Sequence, residues 1–451
     1  MRDTVMRRKK DSERISYPSP DPSGHPLPSG EESQAGWNPL TRIAFRFCFI
    51  YFGLYVVASQ IFGSLLLIPY FQFRGLGPHW PLREITTWTA AHIFHITTLL
   101  TYSGESIGET SFFWVQMFWI LVVSIAATGI WSHLDRKRMH YATLHRWFHF
   151  FIRLALASQM FEYGMTKIIP NQFPSPPLIT LIQPVGNLSL QGLLWASVGA
   201  SPAYEIFLGC AELLGGILLL LPRTAMLGAL ICLADMTQVF VLNMTYDIGL
   251  KQISFHLILL SLFLLADDFT RLTNFFFRNR TVESSTRASR VGAGLQLGFG
   301  VYLVAMQAFI NWSFWHTGGD GRPRSALYGI WNVEQLSVDG QFQTPALNDY
   351  DRQWRRVIFD LPSTMAFQRV DDSIAHYGAF IDTSVKSIAL TKGSSKTWKS
   401  SFTYQRSGAD HLILDGDMDH HRIHIQLQLA DFDTFPLLNS TFRWVRPDQK
   451  E

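Results

Sequence analysis

Residues 45–70 read FRFCFIYFGLYVVASQIFGSLLLIPY. The run carries one charge, Arg46, and is longer than the ~20 residues an α-helix needs to cross a hydrocarbon core of ~30 Å. Comparable apolar runs follow at about 111–132, 147–168, 203–221 (AYEIFLGCAELLGGILLLL, closed by Pro222), 224–243, 251–267 and 291–311. The sequence therefore predicts an α-helical membrane bundle of about seven spans. A weaker segment at about 86–100, with His92, His95 and several threonines, is too short and polar to span and reads as a re-entrant or interfacial helix.

Charge distribution supports this count. Only 16% of the 451 residues are charged, against ~25% in a typical soluble domain. The charges gather before residue 45, between the apolar runs, and after 313. Arg136, Lys137, Arg138 and Arg146 follow the second run, Arg223 the fourth, and Arg271, Arg278, Arg280, Arg287 and Arg290 the sixth. With seven spans these loops share one side with the basic N-terminal segment, while the loops at 169–201 and 244–250 lack Lys and Arg. The positive-inside rule then places the N-terminus in the cytoplasm and the C-terminal domain outside. Net charge is +3, with the basic excess in short loops, which argues for membrane orientation rather than nucleic-acid binding. Residues 1–38 are polar and Pro/Ser-rich, without the apolar run of a signal peptide, and read as a disordered cytoplasmic tail. Cys48, Cys210 and Cys232 fall inside apolar runs, so no disulfide framework or CxxC motif is expected.

From about 314 the pattern changes to period two. SALYGIWNVEQLSV, WRRVIFDL, MAFQRV, SFTYQRS, HLILDGDM, RIHIQLQL and FRWV alternate or nearly alternate, separated by Gly, Asp, Asn and Pro. HLILDGDMDHHRIHIQLQL reads as a hairpin. About eight strands in roughly 130 residues predict an antiparallel barrel or sandwich. Gly329-Ile330-Trp331 is loosely similar to the G-x-W opening of lipocalin-type barrels. Asp415, Asp417 and Asp419 have His420 where an EF-hand loop requires glycine, so they read as a polar turn.

Ionisable groups inside lipid need a partner or a purpose. The third run carries Arg153, Glu162, Tyr163 and Lys167, the fourth Glu212, and the fifth Asp235 with Gln238 one turn on. Asp247 and Lys251 precede the sixth run, which contains His256. Glu162, Glu212, Asp235 and His256 are the candidate catalytic or proton-handling groups. Tyr163, Lys167, Gln238, Asp247 and Lys251 are the candidate binding residues of a polar pocket open toward the outer face, suited to a small polar substrate, a quinone head-group or protons. The competing reading is a set of interhelical ion pairs that hold the bundle. Arg153 with Asp267 or Asp268 reads as structural, and His145 with His149 as an interfacial pair lacking a nearby acid. No metal site is expected.

Arg153, Glu162-Tyr163-Gly164 and Lys167, followed by Gly209-Cys210-Ala211-Glu212-Leu213-Leu214-Gly215-Gly216, resemble the DoxX family of small bacterial membrane proteins. That family shows R…G-x-x-K in one helix and G-x-x-E-x-x-G-G in the next. The resemblance covers about 147–268. It implies a four-helix bundle in the bacterial inner membrane, and some relatives are subunits of quinone-reducing thiosulfate oxidoreductases. Five regions are expected: a tail (1–40), N-terminal membrane helices (41–146), a DoxX-like bundle (147–270), a basic loop with the last helix (271–313), and an extracytoplasmic β-domain (314–451). The leading functional expectation is an accessory or subunit in quinone-linked redox or sulfur chemistry, with quinone as the implied cofactor. One alternative is a non-catalytic scaffold whose β-domain binds an envelope protein partner. Another is a vitamin-K-carboxylase-like membrane enzyme, although no lysine–histidine arrangement here maps to it.

Overall fold

The computed structural model describes residues 36–68, 71, 73–96, 100, 110–278, 290–343, 353–393 and 395–439. The tail expected before residue 36 and the FRWV strand lie outside these residues. The helices are α1 (Pro39–Ala58), α2 (Gln60–Leu65), α3 (Leu82–His92), α4 (Ser111–Leu134), α5 (Ala142–Ile168), α6 (Leu178–Ile182), α7 (Leu190–Gly199), α8 (Pro202–Leu220), α9 (Ala225–Thr245), α10 (Lys251–Ala266), α11 (Phe269–Phe277) and α12 (Arg290–Thr317). Five are long and apolar enough to cross a membrane: α1, α4, α8, α9 and α12, the last from Gly294. α5 has the length but carries Arg146, Arg153, Glu162 and Lys167, and α10 is apolar but only 16 residues long. α3, at 11 residues, covers about half a bilayer.

The first apolar run is not one helix. α1 starts at Pro39, with Asn38 capping it through a 2.7 Å bond to the Thr41 amide, and stops at Ser59, whose backbone is extended. The chain then turns into α2, which packs on α5. The polar pair Ser59-Gln60 falls at this break, but the residues on either side are apolar, so composition alone does not show that the chain turns there. Arg46 is buried in α1, and such a charge must be fully bonded. Its guanidinium donates to the Tyr141 hydroxyl (3.0 and 2.7 Å), Ser132 Oγ (2.9 Å) and the Asp135 carbonyl (2.9 Å), tying α1 to the α4–α5 turn.

After α12 the chain forms β1 (Gly329–Val338), β2 (Gln341–Phe342), β3 (Trp354–Phe359), β4 (Thr364–Arg369), β5 (Ile374–Asp382), β6 (Ser387–Lys392), β7 (Ser395–Arg406), β8 (His411–Met418) and β9 (His421–Leu429). Apart from the two-residue β2, each strand pairs antiparallel with its sequence neighbours, and β9 returns to β1 through the register Trp331↔Leu429 to Val338↔Ile423. The domain is therefore a closed eight-stranded up-and-down barrel, not a sandwich. Closure removes the sheet edges that would otherwise invite aggregation. Its interior is filled by Trp331, Phe359, Phe367, Phe402, Leu414 and Ile425, all essentially fully buried. Trp331 bonds the Leu327 carbonyl at 3.0 Å, and the Arg406 guanidinium lies 5.8 Å from its ring centroid. The β8–β9 hairpin forms as expected, with positive φ at Asp419 (51°) and His420 (67°), the backbone a two-residue hairpin turn needs.

Ile330, Ile358 and Ala366 alternate with the interior side chains and so face outward, yet they too are buried, beneath Leu178 of α6. The Leu178 amide bonds Asp360 at 3.1 Å, and the Ser175 hydroxyl bonds Asp320 at 2.7 Å. The α5–α8 connection is thus the seat on which the barrel is fixed.

Candidate functional site

Among the described residues two cavities lie between the helices, one of them beside a close helix crossing. α5 and α8 cross where Gly164 meets Gly209: a Cβ on Gly209 would sit 2.6 Å from the Gly164 carbonyl oxygen. Only glycine permits this approach. Three residues past each glycine stand Lys167 and Glu212, on facing helix surfaces. Lys167 Nζ donates to both Glu212 oxygens at 2.8 and 2.7 Å, with both residues buried. The glycines set the helix separation at which a lysine can reach a glutamate. A buried pair this well bonded is costly to break, because removing one partner leaves an uncompensated charge.

This pair lines a cavity of about 80 Å³, together with Tyr163, Asp235, Gln238, Asn243 and Ser254. Asn243 Nδ2 bonds Ser254 Oγ at 3.2 Å, while Asp235 Oδ2 is buried without a hydrogen-bond partner. Phe173 and Trp195 form the far wall; their rings lie 4.8 Å apart.

The larger cavity measures about 270 Å³ and sits between α1–α2, α4, α5, α10 and the last turns of α12. Glu162 is its acidic group. Ser64 donates to Glu162 Oε2, and Gln159 does so at 3.2 Å. The α1–α2 break therefore has a purpose in the fold: it turns Gln60 and Ser64 inward to meet α5. Polar wall is added by Gln60, Gln116, Gln252, Gln307 and Asn311, and by Arg74 from the loop after α2. Gln116 and Gln252 each have a buried amide nitrogen without a hydrogen-bond partner. Tyr55, Phe73, Phe113 and Phe314 supply flat apolar surface.

The expected single pocket is thus divided. Glu162 faces one cavity, and Glu212, Asp235, Lys167 and Gln238 face the other. Tyr163 stands between: it lines the smaller cavity while its hydroxyl accepts from Gln60 of the larger at 3.0 Å. His256 lines neither. Its ring stacks on Tyr55 at 3.6 Å, Nδ1 lies 2.7 Å from the Gln252 carbonyl, and Nε2 lies 2.8 Å from the Tyr51 hydroxyl. A carbonyl only accepts, so Nδ1 carries a proton, and in the neutral ring Nε2 accepts from Tyr51. Asp247 and Lys251 pair with each other at 3.0 Å at the start of α10 and line neither cavity.

Two structural expectations change. Asp267 meets His145 (3.4 Å) and His149 (3.8 Å), and Asp268 meets Arg271 (2.6 Å), so neither acid pairs with Arg153. The acid thought missing beside the histidines is supplied from the end of α10, 118 residues beyond His149, a proximity that no local spacing encodes. Among the described residues no group of three His, Cys, Asp or Glu is placed to hold a metal ion. In the barrel, Asp415 bonds His424 (2.6 Å) and Asp419 accepts from the Trp398 indole (2.6 Å). Sequence reading passed over Gln60, Ser64, Arg74, Gln116, Gln307 and Asn311. The signal for some was present: Gln307 and Asn311 are polar residues one turn apart on the same face of an apolar helix.

Bundle and barrel together define a membrane protein with a polar, ligand-sized cavity among its helices and a closed β-barrel after the last of them. It belongs to the same family as the Bacillus subtilis (strain 168) protein called uncharacterized protein YwoB, to which it is 35% identical over 133 residues, 29% of this chain and 83% of YwoB. No family model matches the sequence, and no solved structure matches it.

Proposed function

We propose that the protein spans the bacterial inner membrane seven times, with α5 and α10 completing the set. The N-terminus would be cytoplasmic and the barrel extracytoplasmic. Within the bundle it binds the head-group of a lipid-soluble quinone, serving as an accessory or subunit in quinone-linked redox or sulfur chemistry. One observation carries this reading: the Glu162 cavity combines aromatic walls with a carboxyl group and unpartnered amide donors. Ligand sites are mostly apolar with a few placed polar groups, and a quinone ring offers both flat apolar faces and carbonyl acceptors. The DoxX resemblance of 147–268 supports the same class of chemistry. Glu162 can exchange a proton with the head-group, and the Lys167–Glu212 pair with Asp235 forms a second charged centre beyond Tyr163.

The test is equilibrium binding of a short-chain quinone to the purified protein. Glu162→Gln keeps the shape but removes the ionisable group, and a hydrogen bond to a charged group contributes about 1.5–3 kcal/mol. Affinity is expected to fall at least tenfold. Unchanged affinity in Glu162→Gln and in Gln116→Leu would refute quinone binding at this cavity.

A second reading, a scaffold whose barrel binds an envelope partner, is favoured by the filled barrel interior, which leaves the outer surface to make contacts. It requires function to survive Glu162→Gln and to be lost when residues 314–451 are removed.

A further inference from the structure

α11 lies where the membrane helices end and the chain crosses from α10 to α12. Leu272 packs against the bundle core, while Phe269 and Phe277 are 69% and 84% exposed. Thr270, Arg271 and Asn274 lie opposite Leu272, and Phe269 and Phe277 occupy the flank between the two arcs, so α11 is a short amphipathic element with aromatics on an unpartnered flank. The same end of the bundle exposes Leu134 and Trp147.

The charges at this end are one-sided. Each described acid there is engaged within the protein: Asp135 accepts from the Tyr141 hydroxyl at 2.7 Å, Asp267 sits against His145 and His149, and Asp268 against Arg271. Lys137, Arg146, Arg223 and Arg278 make no ion pair among the described residues. The result is a rim of uncompensated positive charge beside exposed aromatic side chains, complementary to a surface that is apolar below and anionic above.

We infer that this rim is an anionic-phospholipid binding surface, with α11 lying along the leaflet, its phenylalanines among the upper acyl chains and the surrounding basic residues on the head-groups. Amphipathic helices flanked by basic residues bind anionic leaflets by this combination of buried apolar area and charge attraction. The inference is independent of what occupies the Glu162 cavity.

The test uses the full-length protein in nanodiscs of phosphatidylcholine alone or mixed with phosphatidylglycerol. Phosphatidylglycerol should raise the melting temperature by several degrees. The gain should vanish at about 1 M salt, where screening acts within ~3 Å. The double variant Arg223→Gln/Arg278→Gln should melt as the wild type does in phosphatidylcholine but lose most of the phosphatidylglycerol gain, since each such residue changes lipid association about fivefold. Equal melting temperatures in the two bilayers, a gain that persists in high salt, or a gain retained by the variant would each overturn the inference. If the variant does not fold, the salt and lipid arms on the wild type still decide it.

Discussion

Lys167→Met offers the sharpest test of the bundle's architecture. The substitution keeps most of the side-chain volume and removes the ammonium that donates to both Glu212 oxygens at 2.8 and 2.7 Å. Only 7% of the Lys167 side chain and 5% of Glu212's are exposed, so solvent cannot replace the lost partner. Breaking a buried pair costs about 3–5 kcal/mol, because the remaining charge is stranded. At about 2 °C per kcal/mol for a large domain, the apparent melting temperature should fall by about 6–10 °C. Glu212→Gln should be milder, since the amide can still accept from Lys167. The double variant Lys167→Met/Glu212→Leu removes both charges and should recover most of the loss of the Lys167→Met single change. Melting is followed by tryptophan fluorescence in one bilayer composition for the whole series. Should Lys167→Met melt within a degree of wild type, or the double variant fall as far as the singles combined, the pair is not a buried, mutually dependent contact.

The glycine crossing gives a steric counterpart. Gly209→Val must push α5 from α8, and overpacking typically costs ~1–3 kcal/mol, so melting should drop by a few degrees and disulfide trapping between cysteines placed on the two helices should weaken. In the barrel, Trp331→Ala removes the largest fully buried side chain and should cost ~3–5 kcal/mol, read as faster hydrogen exchange in β1, β3 and β9 of the intact protein with α5 and α8 unaffected. The barrel should also respond to acid. Ser373 holds the Asp371 carboxyl below the ordinary aspartate value of 3.8, Ser384 does the same for Asp382, and His411 for Asp410. Depressed folded-state values stabilise the barrel above pH 3.8, and that contribution fades as pH falls below it. Hydrogen exchange at the β4–β5, β5–β6 and β7–β8 turns should therefore be flat from neutral pH down to the ordinary carboxyl range and quicken below it, after correction for intrinsic rates. Acceleration already at pH 6 would point to other groups.

Periodicity and length carried the broad architecture. Long apolar runs such as 203–221 and 224–243 can satisfy their backbone groups in lipid only as helices, and the alternation in HLILDGDM and RIHIQLQL can bury one face only as strands. The departures from strict alternation at VIF and MAF fall where α6 covers the barrel, over Ile358 and Ala366. The glycines and charges of 164–167 and 209–216 were visible as well, because close helix contact and paired charge depend on spacing within one helix.

Other features needed the third dimension. Barrel closure depends on β9 meeting β1, about ninety residues apart in the chain, and strand patterning is the same in a barrel and a sandwich. The break at Ser59 is marked in the sequence only by the polar pair Ser59-Gln60, and where the chain goes after it is seen only in the packing of α2 on α5. His256 is taken by tyrosines of α1, and Asp267 by histidines of α5, because helix rotation decides which neighbour a side chain meets. The division of the acids into two cavities has the same cause: the sequence determines that these groups enter the bundle, whereas the angle and separation of the packed helices determine which of them share a space.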